Sequence, residues 1–277
     1  MYEGFYSNIE DCGAYLARLH MDAADFRPDR EHLDMLLKNH HRYVPFDNLN
    51  VWDKAELPSL NVSDLFKKII TDRRGGYCYE MNGLLEAALR TLGYDCYGVE
   101  IRIVRGRDFM PPFRHRGVVV VLDGKKMFCD VGLGFKFFPQ AAEYNNGYNE
   151  SGYKVECKDG ICELWEKTGD GGEQKIIWYP DRPVLAVDFL NPNMCCSIDP
   201  ASTFRTRLTA VIMTPEGYRK TLLCTQPSPR AESKDAPEFT INIKDGSKVL
   251  FERNGKGTED MCKTLLEEFG IEYSFGK

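Results

Sequence analysis

The sequence predicts an α+β fold: helical over its first part, antiparallel strands after it, and one further helix at the end. Three observations carry this. Up to Leu92 the apolar residues recur at three- and four-residue spacing, the period of a helix with one buried face. Beyond Leu92 the pattern shifts to alternation, punctuated by Asp123-Gly124, Asp159-Gly160 and Pro215-Glu216-Gly217, turn sequences that join adjacent antiparallel strands. Near the C-terminus the helical period returns at Met261, Leu265, Leu266 and Phe269, with Gly270 to stop it.

The elements follow in order. A first helix is expected over residues 7–19, capped by Ser7 or Asn8, with Ile9, Leu16 and Leu19 inward. Pro28 opens a second through about Lys38, with Leu33, Leu36 and Leu37 inward and His40-His41 just past its end. Adjacent histidines on a helix point apart, so they do not read as a metal site; His20 and His32 read as surface residues. A loop then carries Phe46-Asp47-Asn48-Leu49. Asn61 or Ser63 caps a third helix holding Leu65, Phe66, Ile69 and Ile70, and a fourth runs from about Cys78 to Leu92 with Met81, Leu84, Leu85, Ala88 and Leu89 on one face. Strands are expected from Tyr94 to Arg105, in a hairpin from Arg114 to Val131, in a second hairpin from Lys154 to Trp165, and over Lys175 to Tyr179. Successive short strands with tight turns indicate an antiparallel sheet or small barrel. The loop from Gly134 to Tyr153 is long and aromatic, a form that often serves a binding wall. A linker is read from Pro180 to Pro200. Strands follow at Phe204 to Met213, Tyr218 to Cys224, Phe239 to Ile243 and Val249 to Glu252, with an exposed Pro-rich loop from Gln226 to Pro237.

Composition narrows the function classes. Of 277 residues, 43% are apolar, as in a globular chain with a sizeable core. A net charge of −6 argues against a general nucleic-acid binder. No apolar run is long enough for a membrane helix, and the start has no basic segment of a signal peptide. The ten cysteines are scattered, without a C-x-x-C pair, so reduced thiols in the cytoplasm and no metal are expected.

Chemistry concentrates at Arg73-Arg74-Gly75-Gly76-Tyr77-Cys78-Tyr79-Glu80. Cys78 falls where the fourth helix begins, beside free backbone N–H groups whose partial positive charge favours a thiolate. A small buried cysteine at a tight turn is the alternative reading. The hairpin downstream supplies possible partners. A two-residue turn at Asp123-Gly124 pairs Leu122 with Lys125, which brings Asp130 opposite Gly117 and diagonal to His115 on one face. Gly117 has no side chain to block the path between them. A histidine beside a carboxylate, with a cysteine elsewhere in the chain, are the parts of a nucleophilic site.

These residues resemble a known family. Arg74-Gly75-Gly76-Tyr77-Cys78-Tyr79-Glu80, then His115, then Asp130-Val131-Gly132-Leu133-Gly134 is similar to the arylamine N-acetyltransferases, and Val44-Pro45-Phe46-Asp47-Asn48-Leu49 resembles their Pro-Phe-Glu-Asn-Leu segment with Asp in place of Glu. The resemblance implies a helical bundle over residues 1–92 carrying the cysteine, an antiparallel β-barrel over 93–190 carrying His and Asp, and an α/β lid over 191–277, the core shared with transglutaminases and cysteine proteases. It implies acetyl transfer from acetyl-CoA to an arylamine or arylhydrazine, with Cys78, His115 and Asp130 as catalytic residues and no nucleic-acid or membrane partner. Phe46 and Leu133 would wall the acceptor pocket, Leu133 standing where Phe is more frequent. Asp47 and Arg74 would pair to support the cysteine loop. The alternatives are a papain- or transglutaminase-like amide hydrolase or transferase, and the same fold with another donor such as propionyl- or malonyl-CoA, whose carboxylate Lys136 or an arginine could meet.

Overall fold

The computed structural model describes residues 2–226, 228 and 236–275. Its helical part begins with α1 (Cys12–Arg18), capped by Asp11, whose side chain accepts from Ala14 N. The helix therefore starts later than Ser7 or Asn8, and Ile9 is buried ahead of it. Asp29 caps α2 (Arg30–Tyr43). This helix outruns Lys38 and takes in His40 and His41; it stops where Val44 turns extended (φ −115°, ψ 108°), the conformation that the following Pro45 imposes. The segment expected as a loop instead forms a two-residue strand β1 (Phe46–Asp47) and a short helix α3 (Leu49–Lys54). Asn61 caps α4 (Val62–Phe66), which continues as a π-helical turn Lys67–Thr71. Then comes α5 (Cys78–Thr91), ended at Gly93 with φ +97°.

Seven strands follow: β2 (Asp95–Ile103), β3 (His115–Leu122), β4 (Lys125–Cys129), β5 (Ala142–Glu143), β6 (Tyr153–Lys158), β7 (Ile161–Lys167) and β8 (Glu173–Pro180). Their order is β5-β4-β3-β2-β8-β7-β6, all antiparallel, and a bridge between Tyr144 and Val155 joins the two edges into a nearly closed barrel. Asp123-Gly124 and Asp159-Gly160 both have positive φ at each residue, the mirror-image turn that suits the twist of paired strands. Val99, Ile101, Val119, Phe128, Leu164, Ile177 and Tyr179 fill the interior.

Inside the expected linker the chain forms a 3-10 turn Ala186–Phe189 and a helix α6 (Leu190–Ser197), Pro192 being tolerated in its first turn. A one-turn helix α7 (Thr203–Thr206) precedes the remaining strands: β9 (Leu208–Met213), β10 (Arg219–Cys224), β11 (Glu238–Asp245) and β12 (Lys248–Lys256). The last helix, α8 (Thr258–Phe269), packs on them. This second sheet runs β1-β9-β10-β11-β12, so Phe46 and Asp47 pair with Val211 and Ala210 from the far end of the chain. The exposed loop expected from Gln226 to Pro237 lies mostly outside the described residues.

One expectation about the cysteines is overturned. Cys157 and Cys162 face each other across the β6–β7 hairpin and are joined as a disulfide; the other eight are free. Directly opposed strand positions bring two Cβ atoms within bonding reach, here with Cα atoms 4.1 Å apart. No helix among the described residues is long and apolar enough to cross a membrane.

Candidate active site

The start of α5 is shaped by close backbone contacts. A side chain on Gly75 would put its Cβ 1.9 Å from the Pro45 carbonyl oxygen. Gly76 bridges to Phe46, and its carbonyl accepts from Asp47 N at 2.9 Å. The glycine pair thus docks the cysteine loop onto β1. Glu80, three residues into the helix, accepts from Tyr77 N at 3.1 Å and from Lys68 Nζ at 2.6 Å. Cys78 is 2% exposed, and the backbones of Tyr79 and Arg116 bear on its sulfur.

Arg116 follows His115, the first residue of β3. The hairpin register runs from Leu122↔Lys125 to Val118↔Cys129, as the turn dictates. His115 Nε2 meets Asp130 Oδ2 at 2.5 Å, with both side chains buried. Gly117 serves a different purpose from the one expected. A Cβ there would lie 2.6 Å from Ile101 and 2.7 Å from Phe128, so its absence makes room for the barrel core.

Asn82 ties the pieces together and was missed from the sequence. It stands one turn after Cys78 on the same face of α5. Its Nδ2 donates to Asp130 Oδ1 at 2.8 Å and to the Arg116 carbonyl at 2.6 Å, and its Oδ1 accepts from Val131 N at 2.9 Å. Gly132 N adds a bond to Asp130 Oδ1 at 2.7 Å. One helix therefore sets both the sulfur and the carboxylate. The signal available was the spacing of four from the cysteine, which puts two helical side chains on one face. Behind Arg116, its guanidinium donates to buried Glu86 at 2.8 Å and lies 4.3 Å from the Phe189 ring.

Burial pushes the Cys78 thiol up, and Cys196 and Asp130 add to the effect, while the N–H groups of Tyr79 and Arg116 pull it down. The helix N-terminus acts in the expected direction, but burial is the larger influence on the isolated thiol. Cys196, the second cysteine of the cleft, is held at about 12 by burial.

The sulfur opens on a cleft of about 780 Å³. Phe46 and Leu133 both line it; Leu133 packs into the barrel core as well, and Phe46 sits against Phe204. Arg107, Arg219 and Lys244 give the cleft positive charge that no motif in the sequence announced. Lys136 lies outside it and is engaged with Glu166 at 2.8 Å. Asp47 and Arg74 approach to 3.5 Å, a long pair. Arg74 also reaches Asn50 Oδ1 at 3.2 Å and lies 5.0 Å from the Tyr273 ring, while Asp47 Oδ1 accepts from Leu49 N at 3.1 Å. Among the described residues no group of three His, Cys, Asp or Glu side chains could hold a metal ion.

A family model described as N-acetyltransferase matches residues 29–275. The arylamine N-acetyltransferase of Mycolicibacterium smegmatis is 29% identical over 213 residues, 74% of this chain and 77% of that one. The arylamine N-acetyltransferase pineal gland isozyme NAT-10 of Gallus gallus is 32% identical, covering 95% of this chain and 94% of that one. Among solved structures, the arylamine N-acetyltransferase from Salmonella typhimurium shares the fold with a TM-score of 0.81 at 23% identity, over 98% of this chain and 94% of that one. The Mycobacterium marinum arylamine N-acetyltransferase in complex with CoA does so with a TM-score of 0.75 at 23% identity, over 94% and 93%.

Proposed function

The chain belongs to the arylamine N-acetyltransferase family, and from that premise we propose that it moves an acetyl group from acetyl-CoA to an arylamine or arylhydrazine through a thioester on Cys78. That it is an acetyltransferase follows from the family. The covalent route and the roles of Cys78, His115 and Asp130 go beyond the family. One observation carries it: the His115–Asp130 bond at 2.5 Å is locked by Asn82 to the helix that begins with Cys78, on the wall of a cleft that holds the sulfur.

A buried thiol does not ionise readily on its own. Passing its proton to His115 leaves the net charge of the group unchanged, and the buried Asp130 carboxylate stabilises the imidazolium. The N–H groups of Tyr79 and Arg116 hold the resulting thiolate. The thiolate attacks the acetyl carbonyl of the donor, and the tetrahedral intermediate expels the CoA thiolate, which takes the proton from His115. The amine then attacks the acetyl-Cys78 carbonyl and gives a proton to His115, and Cys78 leaves as thiolate. Each half restores what the other consumed. The positive cleft lining fits a donor that carries phosphates, as does the CoA complex of the Mycobacterium marinum relative. Phe46 and Leu133 form the apolar wall for the aromatic acceptor, and Asp47 with Arg74 braces the loop beneath.

The test is intact mass of the protein after mixing with acetyl-CoA and no amine. One acetyl group on Cys78, released on adding an arylamine, is expected. Transfer to amine at full rate with no adduct would sink the covalent route. Propionyl- and malonyl-CoA in parallel would show whether the donor is acetyl-CoA, and hydrolysis of a peptide or glutamine amide without CoA would favour the hydrolase.

A further inference from the structure

The segment from Asp130 to Phe138 has no helix or strand of its own, yet it holds the proposed catalytic carboxylate at its start and Leu133, Gly134 and Phe135 in the cleft wall. Its two ends meet one side chain from a distant element. His41, in the last turn of α2, is 4% exposed. Its Nε2 accepts the Phe138 N–H at 3.0 Å, and the backbone of Asp130 also bears on the ring. A neutral imidazole has one acceptor and one donor. With Nε2 accepting, the ring proton sits on Nδ1, the donor that can face the Asp130 carbonyl. The Phe137 ring lies against the imidazole, centroids 5.1 Å apart. His40 points the other way, to the Tyr15 hydroxyl at 2.7 Å.

We propose that His41 is a positioning residue of the transferase site, pinning both ends of the Asp130–Phe138 segment with one ring. Its Nδ1 side sets where Asp130 stands beneath His115; its Nε2 side sets where the wall at Leu133 and Phe135 stands. The proposal rests on the roles given to Cys78, His115 and Asp130 above. A backbone displacement of the carboxylate by a fraction of an ångström would weaken the His115 bond, and displacement of the wall would loosen the acceptor. Neither needs His41 to touch substrate.

Three variants of the full chain divide the two functions. An asparagine amide reaches the place of Nδ1, and a glutamine amide the place of Nε2. In His41→Leu, iodoacetamide labelling of Cys78 at pH 7 should fall about tenfold or more and its pH profile should move upward, while the KM for an aniline acceptor rises severalfold. His41→Asn should restore the labelling profile but not the KM, and His41→Gln the KM but not the profile. These two carry the test should the leucine variant fail to fold. If the variants lower only Tm, with labelling profile and KM within twofold of the parent, His41 merely packs and the proposal falls. If labelling and KM are lost and recovered together, the division between its two nitrogens is wrong. Labelling needs no acetyl-CoA. A parent enzyme that forms no acetyl adduct would overturn the covalent route while the labelling comparison still decides about His41.

Discussion

The two adjacent buried histidines make stability fall with acid, and the size of the effect can be worked out. Unfolded histidines titrate near 6.5; burial, joined by the charges of His41 and Arg18, lowers His40 to about 3, and burial lowers His41 to about 4. Below pH 6.5 the unfolded chain therefore binds two protons that the folded chain refuses. Stability rises with pH wherever the unfolded state holds more protons, so this contribution is complete well above 6.5 and is lost as pH falls toward 4. Between pH 7.5 and 5.5 each histidine costs about 1.4 kcal/mol, about 3 kcal/mol together. Against a total of roughly 5–15 kcal/mol for a folded domain, that is a large share. Glu80 acts oppositely: burial raises its carboxyl, which favours the folded state as pH falls. It is common to parent and variant, so the comparison between them isolates the histidines. Urea unfolding at pH 7.5 and 5.5 of the parent and of His40→Gln/His41→Gln measures it. The double variant should lose about 3 kcal/mol less over that interval, whatever its absolute stability, and each single variant about half of that. Equal losses in parent and double variant would show that these histidines are protonated in the folded protein.

Three shorter predictions concern the site. In His115→Asn the thiol has no proton acceptor; at the ordinary pKa of about 8.5 roughly 3% is ionised at pH 7, and burial takes it lower, so iodoacetamide labelling of Cys78 should fall at least about 30-fold. Unchanged labelling would remove His115 from the mechanism. A Cβ at Gly132 would lie 2.7 Å from Cys78 Cα and 2.9 Å from Asn82 Nδ2. Gly132→Ala should therefore cost about 1–3 kcal/mol in urea unfolding and most of the transfer rate; normal kinetics would mean that the backbone yields there. Asp47→Ala removes the acceptor for Leu49 N and the partner of Arg74. It should cost about 1–2 kcal/mol, read as a lower Tm together with slower transfer, and an unchanged Tm and rate would show the brace to be idle.

What was legible in the sequence is local. Helical periodicity placed α2, α4, α5 and α8, because burial of one helical face leaves its mark every three or four residues. Asp123-Gly124 carried more than a turn. It set the register of the β3–β4 hairpin, and the register brings His115 to Asp130 within one short stretch of chain. Cys78 was marked by two glycines before it and an amphipathic helix after it. What tertiary structure decided lies between segments distant in sequence. Phe46 and Asp47 read as loop because two residues hold no periodicity, and they become a strand only where Val211 and Ala210 meet them. Gly117 was read as a clear path across one hairpin, whereas its neighbours Ile101 and Phe128 come from the strands on either side. The ionisation of Cys78 was argued from its helix and a histidine partner; the tertiary structure adds the burial that opposes it. Asn82 was an ordinary helical residue, and His41 a residue just past a helix end, until the Asp130–Phe138 segment folded against them. Spacing along a chain fixes which side chains share a face, but the partner on that face, and the water it displaces, come from contacts that no local pattern encodes.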